Sequence, residues 1–366
     1  MAESNFTDKT EGGMTEKGVR NRIRLWLQRT KYTSFLEEIQ KNVIGNDDAI
    51  DTLCLSIWMY LERIANGMMN DGNVLLLGPS GVGKTELYRQ ISKYFRRELN
   101  FLPVVHKDVS QISRVGYIGQ EPVEIVAEVL ENYQSGGISL VFADEVDKVM
   151  GIDTTGSTNT CAAIQSQLLC IFEGAIIKSE KDKDGNSHSI CTRKTLFIGM
   201  GSCMPIREKK ELNRKKHTMG FTSTTEDTNA SDEDINVVDL MDFGAQPEFL
   251  GRFQTIINLH SLSETELRKV IALLVKSEAE SIGIPIEISP STIDKLIEDS
   301  HSPMGVRMYK SRIHDRVIGV MKQIKKGGYY KENIEKIYLS EDGDKIVSNY
   351  LPFRTEYRKD QLFSAQ

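Results

Sequence analysis

Long apolar segments are missing from this sequence of 366 residues. No stretch approaches the length needed to cross a bilayer, and no early apolar run resembles a signal peptide. An excess of basic residues is missing too, because 52 Asp and Glu outweigh 46 Lys and Arg and give a formal net charge of −6. We therefore expect a cytoplasmic protein with no membrane partner and no general electrostatic attraction to nucleic acid.

Cysteine is scarce and is not arranged in pairs. The five cysteines are scattered and never spaced as C-x-x-C, so neither disulfides nor a zinc site is expected. The remaining composition, 39% hydrophobic and 27% charged residues, is ordinary for a folded protein. The length of the chain predicts two domains.

Three continuous apolar runs predict strands that are buried on both faces. They are residues 73–78 (NVLLLG), 139–144 (SLVFAD) and 195–200 (TLFIGM), with helical stretches between them. This alternation is typical of an α/β domain with a parallel sheet. After Leu259 amphipathic helices dominate, with a late strand at KIYLS. The expected domains are a tail and basic helix over 1–34, a large α/β domain over 35–258, a small helical domain over 259–350 and a C-terminal tail over 351–366.

Three polar segments stand apart from this order. Residues 1–18 show no period, which predicts a mobile tail. In residues 178–189 the pair Asp184-Gly185 predicts the turn of a hairpin. Residues 207–239 pass from basic to acidic and Ser/Thr-rich, which predicts a long flexible loop.

A short amphipathic helix is predicted next to the N-terminal tail. Val19, Ile23, Trp26 and Leu27 recur at helical spacing, and arginines surround them. The helix either packs on its own domain or docks a partner or substrate. The residues alone leave both alternatives open.

Residues 78–85, GPSGVGKT, fit the phosphate-binding pattern G-x-x-x-x-G-K-[ST] directly after a predicted strand. Glycines let backbone N–H groups turn toward phosphate oxygens at the start of a helix. Lys84 is expected to reach the β- and γ-phosphates of ATP, and the Thr85 hydroxyl to bind Mg²⁺. The predicted nucleotide-binding residues of this segment are Gly78, Pro79, Ser80, Gly81, Val82, Gly83, Lys84, Thr85 and Glu86.

The apolar run LVFADEVDK ends in a pair of carboxylates. Asp144 is expected to organise Mg²⁺ directly or through water, and Glu145 to polarise the attacking water. Together with the phosphate-binding loop, this pair predicts nucleotide hydrolysis rather than binding alone.

Further segments complete a known pattern. They are residues 43–51 (VIGNDDAID), 165–175 (QSQLLCIFEGA), 247–253 (PEFLGRF) and 304–313 (MGVRMYKSRI). With these, residues 35–324 resemble the AAA+ ATPases of the Clp/Hsp100 group, most closely the ClpX-type protein unfoldases and next the HslU type. The resemblance implies a P-loop AAA+ parallel-sheet domain followed by a smaller, mainly helical domain. It also implies a homohexameric ring that uses ATP and Mg²⁺ to unfold protein substrates.

The same resemblance assigns roles to single residues. Val43 and Ile44 would line the adenine pocket. Arg252 would be the arginine finger that a subunit offers to its neighbour, and Arg307 the sensor-2 arginine of the small domain. A positioned arginine can supply orders of magnitude in the rate of phosphoryl transfer.

An aromatic and a branched apolar residue stand between two glycines in the segment VGYIGQEP. From the residues alone, Gly116, Tyr117, Ile118 and Gly119 form either a hairpin turn with a half-buried tyrosine or an exposed apolar finger. The resemblance favours the finger, because a Gly-aromatic-apolar-Gly loop at this place in the family projects into the channel of the ring. Tyr117 and Ile118 would then grip an unfolded chain by apolar contact.

The sequence also departs from the family pattern. No cysteine precedes Cys54, so the N-terminal zinc module of ClpX is not expected. The basic second pore loop is matched only by scattered residues in 178–189. Met200 stands where HslU has a polar sensor-1 residue, and Ser202 is a possible substitute.

A tripeptide in the predicted loop is a partial match. Met219, Gly220 and Phe221 resemble the Ile-Gly-Phe tripeptide by which ClpX docks the peptidase ClpP, and exposed apolar residues there call for a partner. The alternatives are an unrelated partner or none.

Two other functions stay open from sequence. One is an AAA+ ATPase that acts on nucleic acid through the basic runs 20–29 and 207–217. The other is an ATPase that remodels one dedicated protein without threading it.

Overall fold

The computed structural model describes nine segments of the chain. They are residues 15–112, 122–131, 137–152, 160–178, 189–218, 234–298, 305–328, 334–343 and 345–348. The chain divides into two compact units. The first comprises Met1–Pro79 and Gly83–Ser261, and the second comprises Leu262–Gln366 together with Ser80–Val82.

The first unit alternates helices and strands. Its helices are α1 (Glu16–Arg29), α2 (Tyr32–Gln40), α3 (Asp47–Ala65), α4 (Lys84–Glu98), α5 (Ala127–Glu131), α6 (Thr160–Glu173), α7 (Met204–Thr218), α8 (Val237–Phe243) and α9 (Pro247–Leu250). Its strands are β1 (Asn73–Leu77), β2 (Val104–Asp108), β3 (Ser139–Asp144), β4 (Ile176–Lys178), β5 (Ser189–Cys191), β6 (Thr195–Gly201) and β7 (Phe253–Asn258).

Five of these strands form one parallel sheet in the order β2-β3-β6-β1-β7. Every residue of β1 and β6 is buried, and β3 is buried up to its last residue, Asp144. The three predicted strands and the α/β fold class are therefore confirmed. The sequence analysis missed β2 and β7, which lie at the two edges of this sheet and carry partly exposed polar residues.

Helix α1 is packed within the first unit. The side chains of Val19 and Ile23 have no solvent exposure, and the ring of Trp26 lies 5.8 Å from that of Phe95. Of the two alternatives for this helix, packing on its own domain is the one observed. The helix begins at Glu16, capped by the side chain of Thr15, so the predicted tail was three residues too long.

The arginines of α1 have contacts inside the protein. Arg20 forms an ion pair with Glu16, and Arg24 donates a hydrogen bond of 2.6 Å to the carbonyl of Ala65. The guanidinium of Arg22 lies 5.0 Å from the ring centre of Phe101. These contacts weaken the case for a nucleic-acid surface on α1.

The predicted hairpin is present at its base. Strands β4 and β5 pair in antiparallel fashion, with Lys178 opposite Ser189. The tip of the hairpin, including Asp184 and Gly185, lies outside the described residues.

The prediction of a flexible loop over 207–239 was wrong at both ends. Residues 207–218 belong to α7, and α8 begins at Val237 with a capping box formed by Asn236 and Asp239. The basic part of the segment consists of good helix formers, and Lys210 bridges the two helices by an ion pair of 2.8 Å with Asp239. Polar composition alone therefore overestimated the loop. Residues 219–233 lie outside the described residues.

The second unit contains α10 (Glu264–Ile282), α11 (Pro290–Glu298) and α12 (Val306–Lys326), with strands β8 (Ile286–Ile288), β9 (Ile334–Leu339) and β10 (Lys345–Ser348). The strands form a second sheet in the order β10-β9-β8, of which only β9, over KIYLS, was predicted. Buried Ile271, Tyr309, Ile313 and Ile337 belong to the core of this unit. In the described part of the chain, no helix combines the length and apolar character needed to span a membrane.

Candidate nucleotide-binding site

The predicted phosphate-binding loop connects strand β1 to helix α4. Gly81 and Gly83 have φ angles of 80° and 107°, a region that side-chain-bearing residues rarely adopt. The ammonium group of Lys84, the first residue of α4, donates to the carbonyl of Gly78 and, at 2.8 Å, to that of Pro79. A cation and a helix N-terminus therefore occupy the end of a buried strand, which is an arrangement suited to phosphate.

The segment before α3 packs against this loop. A Cβ on Gly83 would lie 3.8 Å from Cγ1 of Val43, which is 5% exposed. Asn46 anchors the segment to the residue after Leu259, because its amide exchanges two hydrogen bonds with the backbone of His260. Val43 is thus held beside the loop, and Ile44 next to it is half-buried. The role of both residues in an adenine pocket stays a prediction.

Asp144 ends strand β3 with both carboxylate oxygens hydrogen-bonded. Oδ1 accepts from the backbone N–H of Glu145 at 2.9 Å, and Oδ2 lies 3.1 Å from Nε2 of His106. Burial alone would raise the pKa of Asp144, but the hydrogen bonds from His106 and Glu145 and the charge of Lys84 hold the pKa below its ordinary value. Asp144 is therefore an ionised carboxylate at neutral pH.

Glu145 lies directly beyond this carboxylate in a strained backbone conformation. Its φ of 56° and ψ of 31° are left-handed, which costs a residue other than glycine about 1–2 kcal/mol. Its side chain is exposed. Strain at such a position is a common property of functional residues, since the surrounding structure must impose it.

Strand β6 lies between β1 and β3, so its end separates the phosphate-binding loop from the acidic pair. Met200 is fully buried there and points away from solvent. The hydroxyl of Ser202 donates at 3.1 Å to Oδ2 of Asp147, and the same oxygen accepts the backbone N–H groups of Ser202 and Cys203. Of the two sensor-1 candidates, only Ser202 has a polar group at this edge.

The donor groups present fit a magnesium ion that arrives with a nucleotide. Thr85 supplies a hydroxyl and Asp144 an ionised carboxylate, and both are oxygen ligands of the kind that Mg²⁺ prefers. Mg²⁺ in nucleotide sites commonly takes one or two protein ligands and completes its shell with phosphates and water. Glu86 has different contacts, because its carboxylate bonds Arg89 and Gln90 along α4.

Comparison with known proteins decides the family. A model of the AAA domain (Cdc48 subfamily) matches residues 70–256, about half of the chain. The chain belongs to the AAA family. Among its relatives is the ATP-dependent Clp protease ATP-binding subunit ClpX of Bacteroides thetaiotaomicron, 25% identical over 316 residues that cover 78% of this chain and 75% of the relative.

Two further ClpX proteins show the same relationship. That of Porphyromonas gingivalis is 24% identical over 332 residues, 82% of this chain and 80% of its own. That of Borrelia duttonii is 27% identical over 259 residues, 64% of this chain and 58% of its own. The protein is a ClpX-like AAA+ ATPase and binds nucleotide.

In this AAA+ ATPase, Arg252 lies near the N-terminal ends of the strands, whereas the phosphate-binding loop lies at their C-terminal ends. It directly precedes β7, whose first residue Phe253 pairs with Asn73 at the beginning of β1, whereas the loop follows the end of β1. Five strand residues span about 16 Å. The guanidinium of Arg252 forms an ion pair with Glu173, and its Nε has no hydrogen-bond partner among the residues that the structure describes.

The remaining predicted residues are the sensor-2 arginine, the gripping loop and the docking tripeptide. Arg307 is exposed in the first turn of α12, in the second unit. The predicted gripping loop (Gly116, Tyr117, Ile118 and Gly119) and the tripeptide Met219, Gly220 and Phe221 lie outside the described residues.

The sequence analysis missed two residues at the AAA+ site. His106 contacts Asp144 across 38 positions of the chain, and no local pattern singles it out. Asp147 supports the turn after β6, and its only signal was a second aspartate three residues after Asp144 in a buried segment.

Proposed function

We propose that this protein is an ATP-driven unfoldase that works as a homohexameric ring and threads protein chains through its channel. The observation that carries the proposal is the separation of Arg252 from the phosphate-binding loop of its own subunit. An arginine about 16 Å away along the sheet does not reach the γ-phosphate in its own subunit, so its use in hydrolysis calls for a neighbour. A ring gives every subunit such a neighbour.

Within one subunit, each residue of the site has a separate task. Val43 and Ile44 hold the adenine, and Lys84 exchanges its carbonyl partners for phosphate oxygens when nucleotide binds. Glu145 orients and polarises the attacking water from its fixed left-handed position. Arg307 is proposed to contact the nucleotide as the sensor-2 arginine.

Thr85 and Asp144 are the proposed magnesium ligands. When bound, the ion neutralises charge on the β- and γ-phosphates. The chain's own contribution is to keep Asp144 ionised and correctly turned.

Arg252 is proposed to act on the nucleotide of the adjacent subunit. Its present partner, Glu173, is exposed and the side chain of Arg252 is 41% exposed, and ion pairs that solvent reaches contribute only about 0–1 kcal/mol. The guanidinium is therefore free to leave Glu173 at little cost when a neighbour docks. Hydrolysis then depends on assembly.

Threading is assigned to the loop that carries Tyr117 and Ile118. Tyr117→Ala should leave nucleotide binding and assembly intact but sharply lower the unfolding of a stable fluorescent protein, and lower that of an unfolded one less. Tyr117→Phe, the matched control, keeps the aromatic side chain and should retain most of the unfolding activity. Melting temperature, ATPase rate and unfolding are measured on the same preparations.

The opposite pattern would refute the gripping role. A Tyr117→Ala protein with a lowered melting temperature and normal unfolding per ATP would mean that the tyrosine packs the domain. Salt-dependent binding of DNA, with no unfolding by the unmodified protein, would instead favour an ATPase that acts on nucleic acid.

A ClpP-like peptidase is the proposed partner of Met219, Gly220 and Phe221, which directly follow α7. Deleting these three residues should abolish coupled degradation and leave the ATPase rate unchanged. Unaffected degradation would remove the docking role without touching the unfoldase proposal.

A further inference from the structure

His106 and Asp144 meet because of the register between two strands. In the parallel pair β2–β3, His106 lies opposite Phe142, and Asp144 follows two residues later on the same face as Phe142. The imidazole therefore leans along this face toward the end of β3, where its Nε2 lies 3.1 Å from Oδ2 of Asp144.

The ring of His106 is held in place by the helix that begins at the phosphate-binding loop. Tyr88 of α4 packs on His106 with ring centres 4.8 Å apart, and on Phe142 with ring centres 5.3 Å apart. Tyr88 lies one helical turn after Lys84 and Thr85, so the same helix carries the phosphate-binding residues and confines the imidazole.

The carboxylate of Asp144 is fixed from two sides. Its Oδ1 accepts the backbone N–H of Glu145, which alone would leave the group free to turn about its last bond. The contact with His106 removes that freedom. A carboxylate that binds a metal ion is deprotonated and can only accept hydrogen bonds, so Nε2 of His106 is the donor in this contact.

We propose that His106 is a positioning residue that orients Asp144 for the magnesium–nucleotide complex. It acts through Asp144 and does not touch the metal or the nucleotide. This proposal rests on the proposed function, in which Asp144 binds Mg²⁺. Partners that orient a metal-binding side chain commonly change metal affinity or activity by about 10–100-fold when removed.

Two substitutions separate the donor from the ring. His106→Phe keeps an aromatic ring against Tyr88 but has no N–H group, whereas His106→Gln lacks the ring but carries an amide nitrogen at about the reach of Nε2. The probe is a fluorescent ADP analogue, titrated with each full-length variant in EDTA and over a series of Mg²⁺ concentrations. The melting temperature of each variant is recorded alongside.

We expect a change in how nucleotide binding depends on Mg²⁺, with no change in nucleotide binding when Mg²⁺ is absent. His106→Phe should raise the Mg²⁺ concentration needed for half-maximal tightening of nucleotide binding about tenfold, with affinity in EDTA unchanged within twofold. His106→Gln should stay within about threefold of the unmodified protein. Lys84→Ala, the control for the nucleotide site, should lose affinity under both conditions.

Two other outcomes would contradict either the donor role of His106 or the metal-binding role of Asp144. If His106→Phe keeps the normal magnesium dependence, or if both variants lose it equally, the donor role of His106 is overturned while the ATPase site stands. If the unmodified protein itself shows no effect of Mg²⁺ on nucleotide binding, the metal-binding role of Asp144 fails, and the role of His106 fails with it.

Discussion

Replacing Asp147 by alanine should destabilise the first unit and deform the turn between the phosphate-binding loop and the acidic pair. The side chain of Asp147 is only 4% exposed, and one of its oxygens accepts three hydrogen bonds from Ser202 and Cys203. Those bonds hold Cys203 at a φ of 49°, an unfavourable angle for a residue with a side chain. Gly201 leaves room for them, because a Cβ there would lie 3.1 Å from Asp147.

The size of the effect follows from what alanine leaves behind. The N–H of Cys203 is buried and would lose its partner, at about 1–3 kcal/mol, whereas Ser202 is partly exposed and can turn to water. Relief from burying a carboxylate offsets part of the loss. We expect the free energy of unfolding to fall by about 2 kcal/mol in all, which corresponds to roughly 4–8 °C in melting temperature for a domain of this size class.

Tryptophan fluorescence is the suitable assay. The only two tryptophans of the chain, Trp26 and Trp58, both belong to the first unit, so a thermal melt followed by their emission reports that unit alone. Asp147→Asn is the matched control, because a neutral amide oxygen still accepts the same N–H groups with bonds about half as strong. Its melting temperature should fall by about half as much.

ATPase rates of both variants should fall in the same order as their melting temperatures. An Asp147→Ala protein that melts within 2 °C of the unmodified chain would show that the carboxylate does not hold the turn. The reasoning about Ser202 and Cys203 would then be refuted.

Three further predictions concern assembly, chemistry and the N-terminal helix. Mixing Arg252→Ala chains into the unmodified protein should lower the ATPase rate more than dilution does, whereas additive rates would mean that the arginine acts within its own subunit. Glu145→Gln should retain ATP with Mg²⁺ and lose turnover, because the base alone is removed, and a near-normal rate would exclude Glu145 as the base. Ile23→Ala should lower the free energy of unfolding by about 2–5 kcal/mol, because the side chain of Ile23 is fully buried. An unchanged melt would mean that α1 is not part of the folded unit.

Local chemistry explains which features of this protein were readable in advance. The runs that form β1, β3 and β6 are apolar because both faces of a central parallel strand are buried. Such a strand is therefore recognisable as several consecutive apolar residues. The edge strands β2 and β7 lack that signal and were missed. The basic segment that became most of α7 was mistaken for a loop because its helix-forming side chains are also highly polar.

The sequence by itself determined the phosphate-binding loop, the acidic pair and the α/β class, because each depends on residues that are neighbours along the chain. Only the tertiary structure decided how distant residues serve that site. His106 reaches Asp144 through the register of β2 with β3, and Asp147 holds Ser202 across 55 positions. Because β7 runs parallel to β1, Arg252, which directly precedes β7, lies at the end of the strands opposite to the phosphate-binding loop. Strand order and register arise from packing of the whole core, and no short segment of sequence contains them.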